Sequence, residues 1–219
     1  MRTDEQLQAD VLAELKWDPR IQSNQIGVIA KEGAVTLTGI VETYSEKLAA
    51  ERAAKRVKGV RAIAENIQVK LPTQLRTTDE GIAERIAQIL KWNSSLRNTE
   101  IQAEVRDGYV TLTGEVAWSY QKQAAASRIE ELQGVVGIFN QIKVLQKADP
   151  VGARDVQRQI TSALHRHANV EASKVRVSVA DGKVTLDGTI DAYCERELIE
   201  DAVWATAGVK QLVDNLTVI

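Results

Sequence analysis

Few side chains in this sequence have the type and spacing that catalysis or metal binding requires. His165 and His167 are the only histidines, and this His-x-His pair falls on different sides of a predicted helix, so a metal ion would need further ligands nearby. Cys194 is the single cysteine, and no histidine lies close to it in the sequence to activate its thiol. These residues favour surface and packing roles, and the sequence predicts no catalytic residue, no metal site and no cofactor.

The carboxylates are numerous but follow a pattern typical of solvated helix faces. The pairs Glu130–Glu131 and Glu200–Asp201 fall on predicted solvent-facing positions of helices, whereas a general acid and base need a cleft. An active site would require a deep cleft between domains, because small domains leave little interior for a pocket. We therefore predict that the protein is not an enzyme.

One glycine-rich loop matches a nucleic-acid-binding pattern. Residues Gly134-Val135-Val136-Gly137 have the Gly-x-x-Gly form of the RNA-binding KH module, but that loop joins two helices and this one is predicted to join a helix to a strand. The chain has a net charge of −2 and one phenylalanine, so it lacks the basic face and stacking aromatics that RNA binding uses. The sequence predicts no nucleic-acid partner.

A basic cluster is the first candidate for a binding surface. It consists of Arg52, Lys55, Arg56, Lys58 and Arg61 around the end of a predicted helix. These cations either contact an anionic bilayer or complement the dipole of their own helix. At about 1 kcal/mol per basic residue, the cluster alone would bind a bilayer weakly. Membrane binding would therefore need an apolar contribution as well.

Two lysine–tryptophan pairs can supply that contribution. Lys16–Trp17 and Lys91–Trp92 stand at the predicted ends of two helices, and a tryptophan beside a lysine suits a membrane interface. The alternative is that Trp17 and Trp92 pack between neighbouring repeats of the chain or over the edge of a sheet. A third equivalent position carries Arg166 instead.

Composition and the first residues bear on the compartment. The chain is 44% hydrophobic and 26% charged, which is typical of a globular protein, and no stretch approaches the roughly 18 apolar residues of a membrane span. Residues 1–6 contain charges with no apolar run behind them, so no secretory signal is visible. We expect a cytoplasmic protein from the sequence as written, and a periplasmic one if a leader has been removed.

The elements that position these residues come in three copies. The same hairpin signature appears at residues 33–39 (GAVTLTG), 108–114 (GYVTLTG) and 182–188 (GKVTLDG). Because whole units recur at this interval, the chain is predicted to contain three tandem domains. Their predicted bounds are residues 1–72, 77–147 and 149–219.

Two helices are predicted in each copy. The first helices are expected to begin at caps formed by Thr3, Thr77 and Asp149. The second helices are expected over about 43–58, 119–133 and 193–207, each ended by a glycine.

The hairpin defines the rest of the fold. A two-residue turn, Glu32–Gly33 in the first copy, needs positive φ and places Ala30 opposite Val35 and Val28 opposite Leu37. A right-handed crossover to a third strand then puts both helices on one face of the sheet. The predicted fold class is α+β, with three tandem α-β-β-α-β units, each a three-stranded mixed sheet with two helices packed on one face.

This element order, with the Gly-x-Val-x-Leu-x-Gly hairpin and the Gly-Val before each last strand, resembles the BON family (bacterial OsmY and nodulation proteins). The resemblance covers nearly the whole chain. It implies a non-catalytic bacterial module array associated with osmotic or envelope stress, which engages phospholipid or other hydrophobic surfaces. The partner it implies is an anionic phospholipid surface; the alternative is a protein-interaction or chaperone-like scaffold without lipid binding.

Overall fold

The repeated sequence folds into three copies of one α-β-β-α-β unit, which confirms the predicted fold class. The computed structural model describes residues 3–72, 77–96, 99–145, 152–166 and 171–219. The first repeat consists of α1 (Asp4–Trp17), β1 (Ile26–Lys31), β2 (Ala34–Val41), α2 (Tyr44–Arg56) and β3 (Ala62–Val69).

The second and third repeats have the same order of elements. The second consists of α3 (Asp79–Trp92), β4 (Gln102–Arg106), β5 (Tyr109–Thr113), β6 (Glu115–Val116), α4 (Ser119–Glu130), β7 (Gly137–Asn140) and β8 (Lys143–Val144). The third consists of α5 (Ala153–Arg166), β9 (Val175–Ala180), β10 (Lys183–Ile190), α6 (Tyr193–Trp204) and β11 (Gln211–Val218).

Each repeat has a mixed sheet whose middle strand is the second strand of the hairpin. In the first repeat, β2 is antiparallel to β1 and parallel to β3, as the crossover requires. The predicted pairs Ala30–Val35 and Val28–Leu37 are present. In the second repeat the middle and last strands are each interrupted, so β5 pairs with β7 and β6 pairs with β8.

The hairpin turns have the backbone conformation that their sequences predict. Glu32 has φ 50° and Gly33 has φ 83°, and the equivalent Asp-Gly pairs in the other repeats have nearly the same values. Two consecutive positive φ angles define the turn type that matches the twist of a two-residue hairpin. The turn therefore sets the strand register in every repeat.

Three separate hydrophobic cores form, one between the helices and the sheet of each repeat. Leu7, Val11 and Leu15 face the core from α1, while α2 lies against the sheet with a row of buried alanines. Alanine at these positions lets the helix approach closely without side-chain entropy loss. Both helices pack on one face of the sheet, and the other face stays open.

Several predicted helix bounds differ from the structure. Thr3 caps α1 as predicted, with its hydroxyl accepting from the Gln6 N–H. Thr78, rather than Thr77, caps α3, because its hydroxyl is the one that accepts from the Gly81 N–H. The second helices end at Arg56, Glu130 and Trp204, earlier than predicted, because a short turn separates each from its glycine. Asp149 lies outside the described residues.

Gly39 lies against the backbone that leads into β1. Its φ is 149°, and a Cβ there would lie 2.1 Å from the carbonyl oxygen of Gln25. Gln25 ends the 3-10 turn that leads into β1, and Gly114 and Gly188 meet equivalent carbonyls. A backbone carbonyl therefore excludes a side chain at this position in every repeat.

Candidate functional site

The first helices of repeats 1 and 2 end in tryptophans that project into solvent. Trp17 is 84% exposed and Trp92 is 83% exposed, and each is the last residue of its helix. The preceding Lys16 and Lys91 are also exposed. We call these four residues the first-helix tips. Neither tryptophan packs between repeats, so each tip presents an aromatic ring beside a cation.

Helix geometry explains why these rings point outward. Leu15 is fully buried at the helix–sheet contact, and residues two positions apart on a helix do not face the same way. Trp17 therefore turns away from the core that Leu15 enters. The third repeat carries exposed His165 and Arg166 at this place, whereas His167 lies outside the described residues.

A buried carboxylate stabilises the chain just after the first tip. Asp18 accepts from Nε and Nη2 of Arg20 at 2.9 and 2.6 Å. These hydrogen bonds from Arg20 hold the pKa of Asp18 at about 2. In the second repeat, Asn93 replaces the aspartate and accepts from the Ser95 N–H at 3.0 Å. The same turn thus follows both tips, with one charged and one neutral version.

The basic cluster lies at the contacts between repeats. Arg52 Nη2 is 3.0 Å from Glu130 Oε2 in the second repeat. Lys55 Nζ is 2.7 Å from Glu197 Oε1 in the third repeat. These two cations of the first repeat therefore form ion pairs with the other two repeats.

The other members of the cluster have different surroundings. Lys58 Nζ is 3.2 Å from Asp191 Oδ2 in the third repeat, and Arg56 Nε is 2.9 Å from Glu14 Oε1 on α1 of its own repeat. Arg61 is exposed, and within the described residues no ion pair to it is formed. The structure therefore does not bring the five cations together as one open surface.

A third contact joins the remaining pair of repeats. Gln123 Nε2 on α4 donates to Asp201 Oδ1 on α6. Each repeat thus contacts both others through its second helix. We call the residues of these contacts the second-helix junction: Arg52, Lys55, Gln123, Glu130, Glu197 and Asp201.

Lys55 occupies the most enclosed position in the junction. Burial lowers the pKa of its ammonium group, but hydrogen bonds to Glu197 and Glu51 outweigh burial and raise the pKa overall. Its Nζ also lies 5.6 Å from the ring centroid of Tyr193, within cation–π range. Lys55 is therefore held in its charged form by its two carboxylate partners.

The junction was missed by sequence reasoning, although a signal was present. Arg52, Ser127 and Asp201 are equivalent positions of the three repeats, as are Lys55, Glu130 and Trp204. The helix surface that is basic in the first repeat is thus acidic or neutral in the other two. Opposite charges at equivalent positions predict contacts between copies, because such copies attract each other.

The buried carboxylates have structural rather than chemical surroundings. Glu46 Oε1 accepts from the Gln22 N–H at 2.7 Å, and Glu195 Oε1 accepts from the Ala192 N–H at 2.9 Å. These bonds fix the start of each second helix against the preceding chain. Within the described ranges, no group of three or more metal-binding side chains occurs.

Two other titratable groups are shifted by burial. Burial and a hydrogen bond to Asp214 raise the pKa of Glu200 to about 7. Burial also raises the pKa of Cys194, which favours its thiol over the reactive thiolate. In the part of the chain that the structure describes, no histidine acts on the pKa of Cys194. The partly buried Cys194 side chain therefore has the surroundings of a packing residue.

Comparison with known proteins decides the family. A model of the BON domain matches residues 3–70, 78–146 and 153–219. The chain belongs to the BON family. The three α-β-β-α-β repeats are therefore BON repeats, and the matches span both first-helix tips and the whole second-helix junction.

Among curated proteins, osmotically-inducible protein Y of Escherichia coli is 27% identical over 143 residues, which cover 63% of this chain and 71% of that protein. Among solved structures, CdsD, a structural protein of the type III secretion system of Chlamydia trachomatis, matches with 15% identity and a TM-score of 0.27, over 96% of this chain and 91% of that chain. Its C-terminal domain matches with 16% identity and the same TM-score, over the whole of both chains.

None of the described helices of the BON repeats is a candidate membrane span. In residues 3–72, 77–96, 99–145, 152–166 and 171–219, no helix combines the length and apolar character that crossing a bilayer needs.

Proposed function

We propose that this protein is a non-enzymatic BON-repeat array that engages anionic phospholipid surfaces through its first-helix tips. The observation that carries the proposal is the exposure of Trp17 and Trp92, 84% and 83%, each beside an exposed lysine. Aromatic rings next to cations are typical of residues that sit at the membrane–water interface. A role in osmotic stress is proposed from the similarity to osmotically-inducible protein Y.

The ion pairs of the basic cluster change which residues carry the proposed contact. Arg52, Lys55 and Lys58 each have a carboxylate partner in another repeat, and a bilayer would have to compete with these partners. Trp17 and Trp92 of the first-helix tips are uncharged, so a bilayer does not have to displace a carboxylate to reach them. Exposed Arg61 is the remaining cation of the cluster that we include in the proposed surface.

The arrangement of repeats supports simultaneous contact by both tips. Each contact of the junction joins an earlier position of one second helix to a later position of another. These contacts run from Arg52 to Glu130, from Gln123 to Asp201 and from Glu197 to Lys55. This head-to-tail order is that of cyclic symmetry, in which equivalent residues lie at the same height along the symmetry axis. We propose that Trp17 and Trp92 contact one membrane surface together and gain affinity by doing so.

Flotation with liposomes tests the proposal. Vesicles containing phosphatidylglycerol should carry the protein at low salt and shift its tryptophan emission to the blue, whereas neutral vesicles should do neither. The double variant Trp17→Ser/Trp92→Ser should lose flotation and the blue shift, although Trp118 and Trp204 remain. Arg106→Ser removes an exposed cation of β4 and serves as a control that should float normally.

A protein-interaction scaffold is the second candidate, and one observation favours it. Tyr109 and Phe139 stack on the open face of the second sheet, with ring centroids 6.0 Å apart, and are 46% and 55% exposed. Such a pair is typical of a contact surface for another chain. Absence of flotation at low salt, together with salt-insensitive peptide binding that Phe139→Ser abolishes, would favour the scaffold over the lipid proposal.

A further inference from the structure

The contacts between the BON repeats are mainly ionic. Arg52–Glu130, Lys55–Glu197 and Lys58–Asp191 are ion pairs that join different repeats, and Gln123 donates to the carboxylate of Asp201. Each ion pair has one well-exposed partner, namely Arg52 (52%), Glu197 (53%) and Lys58 (60%), whereas Lys55 and Glu130 are only 18% exposed. Salt ions can therefore reach them, and exposed ion pairs are weak and readily screened.

Among the described residues, apolar burial lies mainly within single repeats. Each repeat buries its own hydrophobic core, and the three cores are separate clusters. Tyr44 of the first repeat is the clearest apolar link, because it packs against the core of the second repeat. Opening the junction would remove Tyr44 from the second core, but the buried residues of each core all come from a single repeat.

The charge distribution makes the contacts specific as well as weak. The junction pairs cations of the first repeat with carboxylates of the other two. Separated repeats would still be joined through the short segments between β3 and α3 and between β8 and α5. Short connections hold the repeats at an effective concentration of about millimolar, at which weak contacts form and break readily.

We propose that the second-helix junction is an ionic-strength-sensitive device that closes the three repeats at low salt and releases them as salt rises. Raising salt from about 0.01 M to about 1 M shortens the Debye length from about 30 Å to about 3 Å. Attraction between the exposed charges then falls, while each apolar core keeps its stabilisation. This inference does not depend on lipid binding.

Small-angle X-ray scattering of the full chain across that salt range tests the inference. A compact chain of this length has a radius of gyration of about 17 Å, and full separation into three linked repeats should raise it by up to about 1.5-fold. Circular dichroism should stay unchanged across the same range. A radius of gyration that does not change with salt would overturn the proposal.

Charge-reversal variants separate the junction from general salt effects. Arg52→Glu/Lys55→Glu should be expanded even at low salt, because it places carboxylates against Glu130 and Glu197. Adding Glu130→Arg and Glu197→Lys should restore the compact form at low salt, since the pairs are re-formed with exchanged signs. Arg106→Glu makes the same chemical change at an ion pair inside one repeat and should remain compact. A reversal variant that stays compact, or expansion that the exchanged pairs do not reverse, would contradict the proposal.

Discussion

The first-helix tips and the second-helix junction are both rich in the residues that bind anionic surfaces, yet the structure uses them in opposite ways. Trp17 and Trp92 project into solvent, although packing between repeats was an open alternative for them. Arg52 and Lys55 contact carboxylates of other repeats, although they form the densest basic cluster of the sequence. The two tryptophans are therefore exposed to solvent, whereas these two cations form ion pairs with other repeats.

The difference shows how a tandem repeat changes the meaning of a charge cluster. In a single domain, a basic cluster with few carboxylates nearby indicates a surface for an external anion. In three linked copies, the anion can belong to another copy, because equivalent helix faces are held close to one another. An aromatic residue is uncharged and forms no ion pair with another copy. Its position on the helix therefore decides whether its ring is exposed.

The largest contrast is expected within one helix. Leu15→Ala should lower the opening free energy of the first repeat by about 2–5 kcal/mol, because it leaves a cavity in the core. Trp17→Ala, two residues further on, should change it by less than about 0.5 kcal/mol, because the ring is exposed. Hydrogen exchange of the β2 amides measures both values. Similar losses in the two variants would show that Trp17 packs on the fold.

A smaller effect is expected at the start of the second helix. Glu46→Ala should lower the same free energy by about 1–3 kcal/mol, because the Gln22 and Glu42 N–H groups lose a charged acceptor. Glu46→Gln is the matched control and should be tolerated, since Gln121 occupies the equivalent position and accepts from the Ala117 and Trp118 N–H groups. Hydrogen exchange of the β2 amides again provides the measurement. Equal losses for alanine and glutamine would mean that the charge, not the acceptor, is needed.

The smallest effect is expected to depend on pH, in the third repeat. Glu200 has its pKa raised from 4.5 to about 7 in the folded state, so its protonated form stabilises the fold fully below a pH of about 4.5. This contribution is lost as pH rises through about 7, because the carboxylate then ionises beside Asp214. Glu200→Gln should therefore raise the Tm relative to the parent protein at about pH 8 more than at about pH 5.

A control on α3 distinguishes this effect from a general charge effect. Glu84→Gln removes an exposed carboxylate and should leave the pH dependence of the Tm as it is in the parent protein. If Glu200→Gln and the parent protein give parallel profiles of Tm against pH, then Glu200 titrates in the same way in the folded and unfolded chains.

Much of the fold follows from local sequence features. The Glu-Gly and Asp-Gly turns predict the register of every hairpin, and the pairing of Val28 with Leu37 agrees with that prediction. The cap of α3 was placed one residue early, because Thr77 and Thr78 are both competent to cap and the choice depends on the backbone around them. The carbonyl of Gln25 approaches Gly39 only in the folded chain, so no local pattern predicts that contact.

The sequence predicted the candidate surface less completely than it predicted the fold. The lysine–tryptophan pairs were identified as candidates, but their exposure depends on how α1 and α3 rotate against their sheets. The basic cluster was identified as well, but its partners in the other repeats are 78 to 142 residues away in the sequence. Distances of that kind are invisible to any local pattern.

The sequence by itself determined three α-β-β-α-β repeats, the family to which they belong and the register of each sheet, because turns and hydrophobic alternation act over a few residues. Only the tertiary structure decided that the second helices meet, which cations they pair with which carboxylates, and that the tips remain in solvent. The physical reason is range: strand and helix formation depend on neighbouring residues, whereas charge pairing depends on which surfaces the folded repeats bring within a few ångströms of one another.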